Sequence, residues 1–184
     1  IYNYNGSSWN QLGGDIDGEV ANDNSGWSVS ISSVGNTVAI GAFGNSGNGT
    51  DAGHVRIYNY NGSSWNQLGG DIDGEATGDH SGWSVSLSSN GNTAAIGATT
   101  PNGGPGYVRI YTWNGISWNQ LGLDIDGEAA DDKSGWSVSL SGNGNIVAIG
   151  APGNDGNGST SGHVRVYSLS TPCSSGCTDS LALN

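Results

Sequence analysis

Residues 26–32 read Gly-Trp-Ser-Val-Ser-Ile-Ser, and residues 82–88 and 135–141 both read Gly-Trp-Ser-Val-Ser-Leu-Ser. In the first copy Trp27, Val29 and Ile31 alternate with Ser28, Ser30 and Ser32. A period of two marks a β-strand with one bulky face and one small one. A turn follows each copy, carrying Gly35-Asn36, Gly91-Asn92 or Gly144-Asn145, residues that tolerate positive φ. Residues 37–42 then form a second strand, with Val38 and Ile40 on one face and Ala39 and Gly41 on the other. Residues 54–60 form a third, and residues 64–68 a fourth, reached through the Asn61-Gly62 turn. These strands are called a to d in chain order.

Outward from this unit the whole chain repeats. Trp9, Trp65 and Trp118 each precede Asn-Gln-Leu-Gly, and stand 56 and then 53 residues apart. Asp-Ile-Asp-Gly-Glu recurs at residues 15–19, 71–75 and 124–128. Val-Arg-(Ile/Val)-Tyr recurs at Val55, Val108 and Val164. A period near 50 residues with several short strands is that of a propeller blade. The fold expected is all-β, in four-stranded antiparallel blades: a partial blade over 1–16, blades over about 25–69, 81–122 and 134–168, and a separate cysteine-containing segment over 171–184. Just over three blades do not readily close a ring, since propellers take four to eight. The chain is therefore expected to be part of a longer propeller, or copies of it associate; a β-solenoid or filament of stacked repeats is the alternative. Stacking requires the bulky face of one blade to nest on the small face of the next, which places Trp27, Trp83 and Trp136 in buried, equivalent positions.

Composition bounds the function. The 184 residues include 34 Gly and seven each of Trp and Tyr, with a net charge of −12. Regularly spaced aromatics exclude an acidic disordered chain. A basic patch for nucleic acid or an anionic membrane is missing, and no apolar run reaches the roughly 20 residues of a membrane span. Enzyme chemistry finds little support. His54, His80 and His163 are the only neutral-pH bases. His54 and His163 occupy a position that Tyr107 fills in the middle copy, and read as packing residues at the start of a strand. Three equal copies of an acidic motif argue against one special pair of carboxylates.

The third copy reads Ser134-Gly-Trp-Ser-Val-Ser-Leu-Ser, then Val147-Ala-Ile-Gly-Ala-Pro152, then Gly162-His-Val-Arg-Val-Tyr167. This resembles the FG-GAP repeat of integrin-α-like β-propellers and their bacterial relatives. Gly26-Trp27 reverses the family's Phe-Gly order, and only the third copy carries Gly150-Ala151-Pro152. The family's calcium loop lies between strands a and b, where this chain has a short turn without a carboxylate, so that site is not carried over. The tail, Gly176-Cys-Thr-Asp-Ser-Leu-Ala-Leu-Asn184, is similar to modules of secreted Bacteroidota proteins. That likeness implies an extracellular or cell-surface location, export by the type IX route, and oxidation of Cys173 and Cys177, either with each other or with a partner further along.

Antiparallel order puts the b–c and d–a connections at one end of the blades. Fifteen of the 16 acids fall in these connections, Asp179 being the exception. Two readings of this acidic face stay open. In the first, Asp15, Asp17, Glu19 and Asp23, with Asp71, Asp73, Glu75 and Asp79 and with Asp124, Asp126, Glu128 and Asp132, supply oxygen ligands to Ca2+. In the second, the carboxylates cap backbone amides in tight turns. Arg56, Arg109 and Arg165 read as structural partners of these acids. The function expected is a non-enzymatic surface, adhesion or structural module that binds a protein or glycan ligand at the acidic face. A lectin-like propeller and an accessory domain of a secreted enzyme are the alternatives.

Overall fold

The structure is a computed structural model that describes residues 1–169; Cys173 and Cys177, and the segment 171–184, lie outside the described residues. It contains strands and turns and, among the described residues, no helix. A hairpin of β1 (Tyr2–Tyr4) and β2 (Trp9–Gln11) comes first. The first full blade is β3 (Ser28–Ile31), β4 (Thr37–Ala42), β5 (His54–Tyr60) and β6 (Trp65–Gln67), hydrogen-bonded in that order. Its second-to-last strand also pairs with a two-residue strand, β7 (Ile72–Asp73). The second blade repeats this with β8 (Ser81–Leu87), β9 (Thr93–Ala98), β10 (Tyr107–Trp113), β11 (Trp118–Gln120) and β12 (Ile125–Asp126). The third has β13 (Ser137–Leu140), β14 (Ile146–Ala151) and β15 (His163–Ser168). Strands b and c of the first blade match the expected bounds. The short β7 and β12 are additions to the four-stranded unit: past strand d the chain folds back along strand c, where Ile72 is buried opposite Val55.

The faces stack as their side chains dictate. Ala39, Val55 and Ile57 of the first blade pack on Val85, Leu87 and Ile96 of the second. Ala95, Val108 and Ile110 of the second pack in the same way on Leu140, Val147 and Ile149 of the third. The small face of strand b thus receives the next blade, and strand c adds bulk of its own. Without a neighbour the same positions lie open: Val29 is 64% exposed, whereas its counterpart Val85 is 9% exposed. A single blade cannot bury both faces.

The inner strands of neighbouring blades come close enough to hydrogen-bond. Ser28 Oγ donates to the Gly82 carbonyl (2.7 Å), and Ser30 Oγ accepts from the Leu87 amide (2.9 Å). Ser84 and Ser86 repeat both bonds toward Gly135 and Leu140. The serines on the small face of strand a are therefore a zipper between blades. At the outer edge, Trp65 Nε1 donates to the Leu12 carbonyl and Trp118 Nε1 to that of Leu68.

One packing expectation is corrected. Trp27 and Trp136 are 53% and 44% exposed, and Trp83 is half-buried. Strand a is an edge strand, so no further strand covers its rings. The three indoles lie against one another instead, with centroids 5.0 and 4.9 Å apart, and Phe43 packs on Trp27 and Trp83.

Candidate functional site

The acidic connections share one end of the blades, and hydrogen bonds join them there. Gly78 N donates to the Thr50 carbonyl, His80 N to that of Asp51, and Asp131 N to that of Gly104. Asn48 Nδ2 donates to the Gly74 carbonyl (2.8 Å). The first two b–c loops are thereby attached to the d–a segments that follow them, the third bonds back to the preceding one through Gly153 N and the Asp132 carbonyl, and the acids form one rim.

Within the rim each position of the acidic motif has its own partner. The first Asp accepts from the glutamine of strand d: Asp15 from Gln11 (2.9 Å), Asp71 from Gln67 (2.6 Å), Asp124 from Gln120 (2.7 Å). The second, Asp17, Asp73 or Asp126, carries an exposed side chain. The carbonyls of Asp17 and Asp126 accept from Arg56 and Arg165. The Glu meets an arginine: Glu19 with Arg56 (3.6 Å), Glu75 with Arg109 (2.6 Å), Glu128 with Arg165 (3.4 Å). The arginines act as the sequence implied.

The final Asp of each segment is buried and caps the turn. Asp23 accepts from Val20 N; Asp79 from Glu75 N and Ala76 N; Asp132 from Glu128 N and Ala129 N. Tyr107 donates its hydroxyl to Asp79 (2.8 Å), and Asn154 Nδ2 donates to Asp132 (3.1 Å). These three residues do what the capping reading assigns to them.

The electrostatics follow from these partners. Burial works to raise the pKa of Asp132, but the bonds from Asn154, Ala129 and Glu128 outweigh it and hold the carboxyl below its ordinary value. For Asp124 burial is likewise outweighed, by the bonds from Arg109 and Gln120. Asp73 reaches solvent but is partly desolvated, and its pKa moves upward through that desolvation and then the negative charges of Asp71 and Glu19, with His54 opposing. Burial and the bond to Asp79 push the Tyr107 phenol up.

The four acids of one segment do not gather at a point. Among the described residues a single trio of His, Cys, Asp or Glu brings its ligand atoms within 4.8 Å of one another: Glu19, His54 and Asp71. It takes one acid from each of two successive motifs and a histidine from the strand between them. Reading the acids motif by motif missed this grouping. The signal that could have found it is the register of β5 against β7, which sets His54 opposite Asp73.

The FG-GAP repeat matches residues 16–58 and 124–167, parts of the first and third blades; the middle blade has the same strand order without a match. No curated protein matches the chain. Among solved structures, the periplasmic gluconolactonase of Pseudomonas aeruginosa superposes with a TM-score of 0.56 at 16% identity, over 91% of this chain and 45% of that one. TolB from Acinetobacter baumannii gives a TM-score of 0.46 at 16% identity, over 80% of this chain and 30% of that one. The chain spans less than half the length of either protein. FG-GAP repeats are thus present in this chain, and they fold as stacked, antiparallel blades of the β-propeller type.

Proposed function

We propose that the chain is a non-enzymatic repeat module of an extracellular surface protein, and that it binds a partner through its acidic rim. The observation that carries this reading is the joined set of b–c and d–a connections, which presents Asp15, Asp17, Asp73, Glu75, Asp126 and Glu128 as exposed acids at one end of the blades. The rest of the acidic segment is spent on holding that surface. Charge of one sign on a rigid rim favours a basic partner and speeds its encounter. Replacing Asp17, Asp73 and Asp126 together with Lys should abolish binding to basic protein segments displayed on an array, while circular dichroism stays unchanged. Binding that survives the three replacements, or that ignores ionic strength, would discard the rim as the binding surface.

The indole row, exposed at Trp27 and Trp136 and half-buried at Trp83, supports a second reading, as a glycan-binding module. Trp27, Trp83 and Trp136 present a row of rings spaced by about one ring contact, and such rings can stack on sugar faces. On a glycan array, Trp83→Ala would remove this binding and leave the rim-dependent one intact.

A further inference from the structure

His54 begins β5 with its side chain 1% exposed, and neither ring nitrogen has a hydrogen-bond partner. A buried imidazole left in that state carries the desolvation penalty of two polar atoms. Its Nδ1 is aimed at two carboxylates, 3.8 Å from Asp71 Oδ2 and 4.0 Å from Glu19 Oε2. Those distances are too long for hydrogen bonds and suit donors arranged about a shared centre.

The next blade shows what the same place looks like when it needs nothing more. There Tyr107 replaces the histidine and donates to Asp79 (2.8 Å). Arg109 binds both equivalent acids, Glu75 at 2.6 Å and Asp124 at 2.9 Å. In the first blade Arg56 turns to the Asp17 carbonyl and stands 3.6 Å from Glu19 Oε1. Glu19 Oε2 and Asp71 are left facing His54, with Asp73 opposite it on the paired strand. In the third blade His163 meets Glu128 alone (3.8 Å), and no second acid joins it among the described residues.

We propose that Glu19, His54 and Asp71 bind a divalent cation of the zinc class, with His54 Nδ1 and one oxygen of each carboxylate as ligands. The imidazole nitrogen selects for transition-series ions over calcium, which takes six to eight oxygens. Zinc bonds of about 2.0–2.2 Å place tetrahedral ligand atoms roughly 3.4 Å apart, so both carboxylates have to move in on His54 Nδ1 from 3.8 and 4.0 Å. Glu19 and Asp71 lie on the exposed rim, and the oxygens that face His54, Glu19 Oε2 and Asp71 Oδ2, are not the ones that meet Arg56 and Gln67. The ion would join the segment before strand a, strand c and the segment after strand d, fastening two successive acidic motifs to one blade.

The test is calorimetric titration of the full chain with ZnCl2, with Cys173 and Cys177 alkylated and excess CaCl2 present to occupy oxygen-only sites. The expected result is a single tight site and a rise in melting temperature on adding Zn2+. H54Y, which installs the residue found at the equivalent position of the next blade, should lose both. Glu19→Gln, on an exposed side chain, should weaken the site by at least about tenfold. Asp51→Asn, on the same rim outside the trio, should change neither. Wild-type affinity no greater than that of H54Y would overturn the proposal, as would a Glu19→Gln variant that binds like wild type. Saturable Zn2+ binding equally lost in Asp51→Asn would reduce the effect to general attraction by the rim, and also overturns it.

Discussion

At the scale of single residues, the small side chains of strands a and b are fixed by how closely the blades approach. A Cβ on Gly41 would press into the Gly82 carbonyl oxygen, and one on Gly97 into that of Gly135. Both obstacles are backbone atoms of the next blade and cannot swing aside. The equivalent Cβ on Gly150 would meet only Ser137 Oγ of its own blade, a hydroxyl that can rotate. Gly97→Ala should therefore cost roughly 1–3 kcal/mol, as overpacking does, and Gly150→Ala clearly less. Urea midpoints of the two variants check this, and equal shifts would count against the close approach of the inner strands. The alternation of Ser28, Ser30 and Ser32 with bulky residues made the small face legible from sequence. That the serines would bond to the next strand was not legible, because the pattern shows which face is small and not how near its neighbour comes. His54 was read as packing for a related reason: its burial could be anticipated, but the two acids that meet it, Glu19 and Asp71, stand 52 residues apart in successive motifs.

At the scale of the elements, strands b and c of the first blade were readable to the residue, as β4 and β5. Strand a, expected over 26–32, pairs only over Ser28–Ile31, because Gly26 at positive φ and the turn from Asn24 to Trp27 interrupt the ladder at its start. The two-residue β7 and β12 were not readable, since two residues carry no period; tertiary pairing against strand c makes them. The burial expected of Trp27 and Trp136 failed because the pattern assigns these rings to a face without showing that strand a lies at an edge of its sheet. The tryptophans of strand d have the opposite history. Their sequence context marks them as repeated but gives no partner, and the structure has Trp65 and Trp118 reaching back to carbonyls of the preceding repeat, at 2.8 and 3.0 Å. Trp118→Phe keeps most of the ring and removes the donor, so it should cost about 1 kcal/mol. Trp9, exposed and with no such bond among the described hydrogen bonds, serves as the control: Trp9→Phe should leave the unfolding midpoint unchanged. Equal effects at the two positions would mean that Trp118 acts through its bulk alone.

At the scale of the whole molecule, the acids have to be held together at one end against their own repulsion, and their partners decide how the fold responds to pH. Asp124 and Asp132 have folded-state pKa values below their ordinary ones, for which hydrogen bonds to the ionised form are responsible. A depressed pKa contributes stability that is present above the unfolded value, about 3.9 for Asp, and is lost as pH falls through the folded value. Asp73 acts in the other direction. Its raised pKa means that ionisation costs stability as pH rises through the folded value, and acidification relieves that cost. Two residues therefore favour the fold at neutral pH, with one opposing. Unfolding midpoints in urea should fall as pH is lowered from about 5 toward 2, and the loss should be shallower in Asp132→Asn, which has one fewer carboxylate to protonate. Asp73→Asn should act oppositely, raising the midpoint at pH 7 and leaving it close to wild type at low pH, where both side chains are uncharged. Parallel profiles for all three proteins would show that the pH response arises from net charge alone and not from the caps and ion pairs that tie the rim to its blades.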